Sequence, residues 1–453
     1  MFVRLGIVTF LWTLIIPGTT AAQTQDEKNF IELRQEITRL RREYESRIRE
    51  LEQRVTAAEQ RAGRAESAAQ SASTAVSAGG AGGGGMSNTA FNPAIGVIFQ
   101  GQAWDFKEHP EEFRIPGFPL GGEAGPITEG LGLGETEIDI NANVDDKFTA
   151  WLTLPVVVED GEVNVEVEEA WIETLGLPGG FAARFGRFFS GIGYLNGKHS
   201  HSWDFIDQPL PYQVFLGNQY LDDGIQLRWL APADRYVELG AELLHGDRYP
   251  AAGASNSGFG SYSGFVHAGG DVGVSHSWLA GVSYLHADSD GRPSGAADDP
   301  LLFSGDSDLV IAEFVWKWAP YGNWKQKNFM LQSEFLWRSE DGVYTLPDRR
   351  VLRYDAEQRG WYVQALYQPF PRWRFGARFD TLSAGNPGLD FAGTDLDPAD
   401  SDPLRFSLMV DWSNSEFSRL RLQYIRDESG VVDDNQWGLQ YIFSIGAHGA
   451  HTF

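Results

Sequence analysis

Residues 437–446 read Trp-Gly-Leu-Gln-Tyr-Ile-Phe-Ser-Ile-Gly, and large apolar side chains occupy every second position. Trp437, Leu439, Tyr441, Phe443 and Ile445 fall on one face of an extended chain. Gly438, Gln440 and Ser444 fall on the other, with Ile442 the single apolar exception. Successive side chains of a strand point to opposite faces, so this segment is greasy on one side and mostly polar on the other. A strand of that kind, followed closely by an aromatic end at Phe453, is how an outer-membrane β-barrel finishes. The pattern specifies two solvents, hydrocarbon outside and water inside.

The bulk properties agree with that reading. Past the N-terminus no run of about 18 apolar residues occurs, which excludes helical membrane spans. Residues 1–22 have the form of a signal peptide: Arg4, an apolar stretch from Leu5 to Ile16, and a small-residue cleavage site at Thr20-Ala21-Ala22. The chain of 453 residues has no cysteine, so an exported fold must be stable without disulfides, as a closed barrel is. A net charge of −26 argues against a nucleic-acid partner. Residues 23–85 carry ten basic and ten acidic side chains, so the whole acidic excess lies beyond them. No cofactor is implied. The scattered histidines His109, His245 and His286 show no paired nucleophile motif, so no enzyme is expected.

Residues 23–76 form a candidate periplasmic stalk. Apolar positions run Leu33, Ile37, Leu40, Tyr44, Ile48, Leu51, Val55 and Ala58, then continue through Ala62, Ala65, Ala69 and Ala72 to Val76. The steps alternate between three and four, with one repeated four at Tyr44 to Ile48, which is a heptad seam with a single stutter. From Phe30 to Val76 it would extend about 70 Å as helix. A trimer is expected because porin-like partner domains are usually trimeric. Residues 77–90 hold a glycine-rich linker, and 91–453 the barrel.

After Phe91 the period changes to two, and about sixteen antiparallel strands can be drawn. Every second connection is a short turn: Asp145-Asp-Lys, Leu177-Pro-Gly-Gly, Pro232-Ala-Asp, Val272-Gly-Val-Ser, Pro320-Tyr-Gly-Asn, Pro369-Phe-Pro-Arg and Asn414-Ser-Glu. The alternate connections are long and polar, apart from a tight turn at Asp160-Gly161. A β-sandwich has no reason to sort its loops by parity, whereas a transmembrane barrel does.

The longest loop, 190–221, is too aromatic to stand in water, with Tyr194, Trp203, Phe205, Tyr212, Phe215 and Tyr220. Folded into the lumen it would be a constriction presenting Tyr194, His199, His201, Asp204 and Asp207. Alternation also sends Arg228, Arg374, Arg378, Arg405, Arg419 and Arg421 to the lumen face, and likewise Glu137, Asp139, Glu238 and Glu242. Opposed charges on different walls would create a transverse field; alternatively they pair with one another and only keep the pore wet. His199 and His201 lack a third ligand at fixed spacing, so packing rather than a metal site is expected. Outer aspartates (Asp288, Asp290, Asp298, Asp299, Asp306, Asp395, Asp397, Asp400, Asp402) could gather divalent cations near lipopolysaccharide, without the spacing of a calcium loop.

Several stretches resemble a family of porin-like outer-membrane proteins often labelled TonB-dependent or zinc-regulated receptors. They are Phe91-Asn-Pro-Ala-Ile-Gly-Val-Ile, Arg114-Ile-Pro-Gly-Phe-Pro-Leu-Gly-Gly-Glu-Ala, Asn143-Val-Asp-Asp-Lys-Phe, Val167-Glu-Glu-Ala-Trp-Ile-Glu-Thr-Leu, Gly186-Arg-Phe-Phe-Ser-Gly-Ile-Gly-Tyr-Leu-Asn and Asp222-Asp-Gly-Ile-Gln-Leu-Arg-Trp-Leu-Ala-Pro. The resemblance covers most of 91–453 and implies a barrel in the outer membrane. The label implies an energised receptor with a plug, whereas here a coiled coil occupies the plug's place. The expected function is passive diffusion of small hydrophilic solutes or ions through a homotrimer embedded in lipid and lipopolysaccharide. The alternatives are a tether to peptidoglycan or an uptake channel selective for a metal or an anion.

Overall fold

A computed structural model of the protein describes residue 39 and residues 93–108, 114–122, 124–125, 127–159, 162–253, 258–295, 300–399 and 401–446. The signal peptide, the linker, Phe453, the Asp160-Gly161 turn, Asp298, Asp299, Asp400 and, but for residue 39, the stalk lie outside the described residues. The chain divides into Met1–Thr89 and Ala90–Phe453, and the barrel belongs to the second unit. Among the described residues no helix is long and apolar enough to cross a membrane.

The second unit is one closed antiparallel sheet of sixteen spanning strands. In chain order they are β1 (Ala94–Phe106), β2 (Gly130–Leu133 with Thr136–Asn143), β3 (Phe148–Glu159), β4 (Glu162–Val165 with Glu169–Thr174), β5 (Phe181–Phe189), β6 (Leu221–Leu230), β7 (Tyr236–Leu244) and β8 (Ser261–Val272). There follow β9 (His276–Ser294), β10 (Leu301–Trp318), β11 (Asn328–Thr345), β12 (Val351–Phe370), β13 (Trp373–Ala384), β14 (Leu404–Ser415), β15 (Ser418–Glu428) and β16 (Asp434–Gly446). Two strands are written in two pieces because each is interrupted while pairing with one neighbour: β2 runs along β1, and β4 along β3. Pairing of β1 with β16, from Gly96↔Gly446 to Phe106↔Gln436, closes the cylinder and leaves no open sheet edge.

The two faces sort as alternation requires. On β16, Trp437, Leu439, Tyr441, Phe443 and Ile445 are exposed on the outside, whereas Gln440 and Ile442 are buried inside. The apolar exception in that strand is thus an interior residue. Where Trp104 packs inward its ring lies over Gly438, and a Cβ there would come within 2.8 Å of it; glycine makes room for the indole.

Strands β9–β12 are 18 to 20 residues long, where about 9–11 suffice to span a bilayer. Their far ends project beyond the long-loop rim as hairpins. Asp288, Asp290 and Asp306 therefore belong to paired strands rather than to free loops, contrary to the sequence expectation. These projections carry a satellite core of Leu301, Phe303, Tyr344, Leu346, Tyr354, Phe391 and Leu396.

Candidate functional site: a loop latched inside the barrel

Residues 190–220, loop L3, connect β5 to β6 and fold into the barrel interior. Their aromatic and aliphatic side chains make this the low-energy place, since exposing them to water would forfeit their burial. A short helix, α1 (Leu210–Leu216), has every residue buried and packs against β11, β12 and β13. Tyr212, Val214, Phe215 and Leu216 join Ile192 and Leu195 in one core with Leu285, Leu309, Ile311, Leu336, Tyr362 and Leu382 from the wall. The preceding long loop, 107–129 (L1), adds Ile115 and Phe118, the Phe118 ring lying 6.0 Å edge-on from Phe215. Those two residues were not anticipated, although apolar side chains in an outer loop are the same signal that L3 gave.

Two interior carboxylates act as sockets for the loop's entry. Glu242 accepts from the Gly191 amide at 2.8 Å, from Gln226 Nε2 at 2.6 Å, and from the hydroxyls of Ser190 and Ser263. Glu334 accepts from the amides of Tyr194 (2.9 Å) and Leu195 (3.3 Å) and from the hydroxyls of Tyr212 and Tyr362. Asn196 joins the loop's two ends, donating to the carbonyls of Ser190 and Tyr220 at 2.8 Å each and accepting from the Tyr220 amide. The buried backbone groups of a loop without a ladder are satisfied in this way.

The middle of L3 bridges two walls. Towards β13–β15, Asp204 accepts from Arg374 at 2.6 Å, and Arg374 also reaches Asp411 at 2.6 Å. Asp207 takes Arg378 at 2.6 Å and Arg405 at 3.1 Å, with Gln423 on its other oxygen. Arg378 also meets Asp380, Arg405 meets Asp427, and Arg421 meets Asp411. Burial alone would raise the Asp207 pKa, but the Arg378 and Arg405 guanidinium groups and its hydrogen bonds hold it below the ordinary carboxylate range. Towards β2 and β4, His199 Nδ1 lies 3.1 Å from Glu168 and 3.4 Å from Glu137, and His199 Nε2 lies 3.1 Å from Glu169. His201 Nδ1 lies 2.8 Å from Glu137. Arg419 donates to the His201 carbonyl at 2.5 Å, tying one wall's cation to the other wall's loop segment.

The charged residues expected on the lumen face thus point inward, but most do not line open water. Arg378, Arg405, Arg421, Glu137, Asp139 and Glu242 are buried, Arg378 and Arg405 against Asp207 of L3, Glu137 against His201 and Glu242 against Ser190. Arg228, Glu238 and Arg374 keep side-chain exposures of 27%, 16% and 25%, Arg228 being held by Glu173 at 2.7 Å and by Glu238. The arginine patch is not a bare cationic wall: Asp380 and Asp427, which sequence reading missed, stand within it. Of the outer aspartates, Asp395 binds Arg114 of L1 at 3.1 Å, and Asp397 accepts from the Gly393 and Ala399 amides. These two carboxylates hold loops together. A cavity of about 580 Å³ remains on the long-loop side between L3, β1 and β14–β16, lined among others by Gln102, Asp207, Gln213, Arg405, Asp427 and Gln436. Beside it Trp104, Ile206 and Ile425 form a buried apolar cluster.

No family model matches the chain. The chain is 30% identical over 393 residues to an uncharacterized protein of Aquifex aeolicus (strain VF5), covering 81% of each, and it belongs to that protein's family. A loop L8 deletion mutant of OmpT, an outer membrane protein of Vibrio cholerae, superposes with a TM-score of 0.51 at 12% identity, over 79% of this chain and 100% of that one. This likeness places the fold among outer-membrane-type β-barrels. An anion-selective porin from Comamonas acidovorans is similar at a TM-score of 0.49 and 10% identity, over 78% and 99% of the two chains, a likeness too distant to carry an argument.

Proposed function

We propose that the protein is a porin-like channel of the outer membrane, passing small hydrophilic solutes or ions passively past a constriction set by L3. The observation that carries this reading is a sealed barrel with an apolar outside and a charged inside, crossed by one loop fixed at both walls. Charged and amide groups of both signs around the mouth cavity suit hydrated solutes rather than apolar ones. The extent of interior packing leads us to expect low conductance. The heptad seam within 23–76 supports a homotrimer with a stalk in the periplasm, where peptidoglycan is within reach, and the apolar belt supports a setting in lipid and lipopolysaccharide.

Planar-bilayer recording of the purified full-length chain tests the reading. Small, stable steps arriving in groups of three are expected. A chain lacking residues 24–76 should give single steps of the same size. A correctly inserted protein that never conducts would overturn the channel reading.

A further inference from the structure

The wall facing His199 carries more negative charge than the loop brings positive charge to meet. Glu137, Glu168 and Glu169 surround two imidazoles, and Glu135 is hydrogen-bonded to Glu137. Glu137 is fully buried, and no hydrogen-bond donor reaches its Oε2, the oxygen turned towards His199 Nδ1. A buried, undonated carboxylate oxygen is costly unless a cation meets it. Arg184, the guanidinium on the neighbouring strand, is held by Glu173 at 2.8 Å.

We propose that Glu137, Glu168 and His199 bind one divalent first-row transition-metal ion, which fastens L3 to the β2–β4 wall. Their ligand atoms lie within 4.8 Å of one another. The two separations from His199 Nδ1, 3.1 and 3.4 Å, bracket the edge of about 3.3 Å that a tetrahedron with bonds of about 2.0 Å would have. A shell supporting these ligands is also present. His199 Nε2 is bonded to Glu169 Oε2, and Trp171 Nε1 donates to the other oxygen of Glu169, Oε1, at 3.1 Å, the carboxylate–histidine arrangement that orients metal-bound imidazoles. Glu137 Oε1 is held by His201 Nδ1 and, at 3.3 Å, by Ser200 Oγ, leaving Oε2 as the coordinating atom. The ion takes the place of a proton on Nδ1, and water occupies the remaining position. One imidazole and two carboxylates suit Zn²⁺, Co²⁺ or Mn²⁺ better than Ca²⁺, which wants six to eight oxygens. The projecting hairpins hold a second group, His286, Asp288 and Asp306, but Asp306 is exposed to water and the Asp288 side chain is 45% exposed, so it serves as the comparison site.

The test uses the purified full-length chain in detergent, stripped with a chelator and then given Co²⁺. One Co²⁺ per chain should survive desalting, with the visible absorption of a low-coordinate site, and excess Mg²⁺ should not displace it. Glu168→Gln should abolish retention, Glu169→Gln should weaken it about ten- to a hundred-fold, and His286→Ala should leave it unchanged. Glu168 is part-exposed at the loop's edge, so its variant keeps the test valid should His199→Ala fail to fold. No retained Co²⁺ in the parent, equal retention by Glu168→Gln, displacement by Mg²⁺, or loss in His286→Ala would each overturn the proposal. None of these readouts depends on whether solutes pass through the barrel.

Discussion

L3 is held between two walls that are built differently. On the β13–β15 side four arginines, Arg374, Arg378, Arg405 and Arg421, pair with five aspartates, Asp204, Asp207, Asp380, Asp411 and Asp427, while Arg419 donates to the His201 carbonyl. Guanidinium forks engage carboxylates there, and the loop supplies two of the acids that complete the balance. On the β2–β4 side the acids outnumber the imidazoles, and one buried oxygen has no donor. On the first wall every one of these aspartates has an arginine partner, although Asp380 Oδ1 and Arg419 Nε lack a hydrogen bond, whereas on the second the glutamates have only imidazoles to meet, the excess that the proposed cation would offset. The lesson is that interior charge tells more about what holds a loop than about what crosses a pore.

Breaking the balanced wall should have the largest effect. Asp207→Ala strands Arg378 and Arg405, each no more than 5% exposed, without their shared carboxylate. Removing one partner of a buried pair costs about 3–5 kcal/mol, so a clear drop in melting temperature is expected, together with larger and noisier conductance as L3 loosens. Unchanged stability would show that the aromatic core, not the ion pairs, retains the loop. Acid should act through the same residue. The Asp207 pKa is depressed in the folded chain, so its contribution is present above the unfolded value near 4 and is lost as pH falls through the folded value. Arg378, Arg405, Asp380 and Gln423 all face it, and Asp427 shares Arg405 with it, so the contribution is isolated by comparison. The parent should lose stability below about pH 4 more steeply than Asp207→Asn, and parallel acid curves would contradict the assignment.

The other wall should respond less. His201→Ala in metal-free protein removes the hydrogen bond to Glu137 together with the stacking on His199, at a cost of about 1–3 kcal/mol for a buried acceptor left short of a donor. Thermal unfolding of this variant beside Asp207→Ala ranks the two walls directly. A loss equal to that of Asp207→Ala would mean the carboxylate wall latches the loop as strongly as the arginine wall does.

Much of this was legible in the chain. Alternation and loop parity pointed to about sixteen strands, the number that the sheet holds. Both signals reflect the bilayer, which acts on every strand alike. The inward course of L3 was legible because Tyr212, Phe215 and Tyr220 have nowhere else to bury. The pairings were not legible. Asp207 meets Arg378 and Arg405 across 171 and 198 residues, and no local period encodes such a meeting. Nothing in the sequence around Glu334 sets it apart, and only the folded loop reveals it as a four-donor socket. The extra length of β9–β12 was missed because its polar, aspartate-rich ends read as loop.

The smallest effect is expected where an ion pair touches neither wall. Arg353 and Asp341 meet at 3.2 Å on the projecting β11–β12 hairpin, with side-chain exposures of 77% and 64%. Solvent screens such a pair, and holding two long side chains in one geometry costs entropy that offsets the attraction. Arg353→Ala should therefore leave the melting temperature and the conductance steps of the parent unchanged. It adds or removes the same formal charge as a change at Arg378, so the contrast between the two sites separates burial from charge. If Arg353→Ala instead destabilised the barrel as much as Asp207→Ala, the outer hairpins rather than the loop inside would be holding the fold, and the contrast between the two walls would lose its meaning.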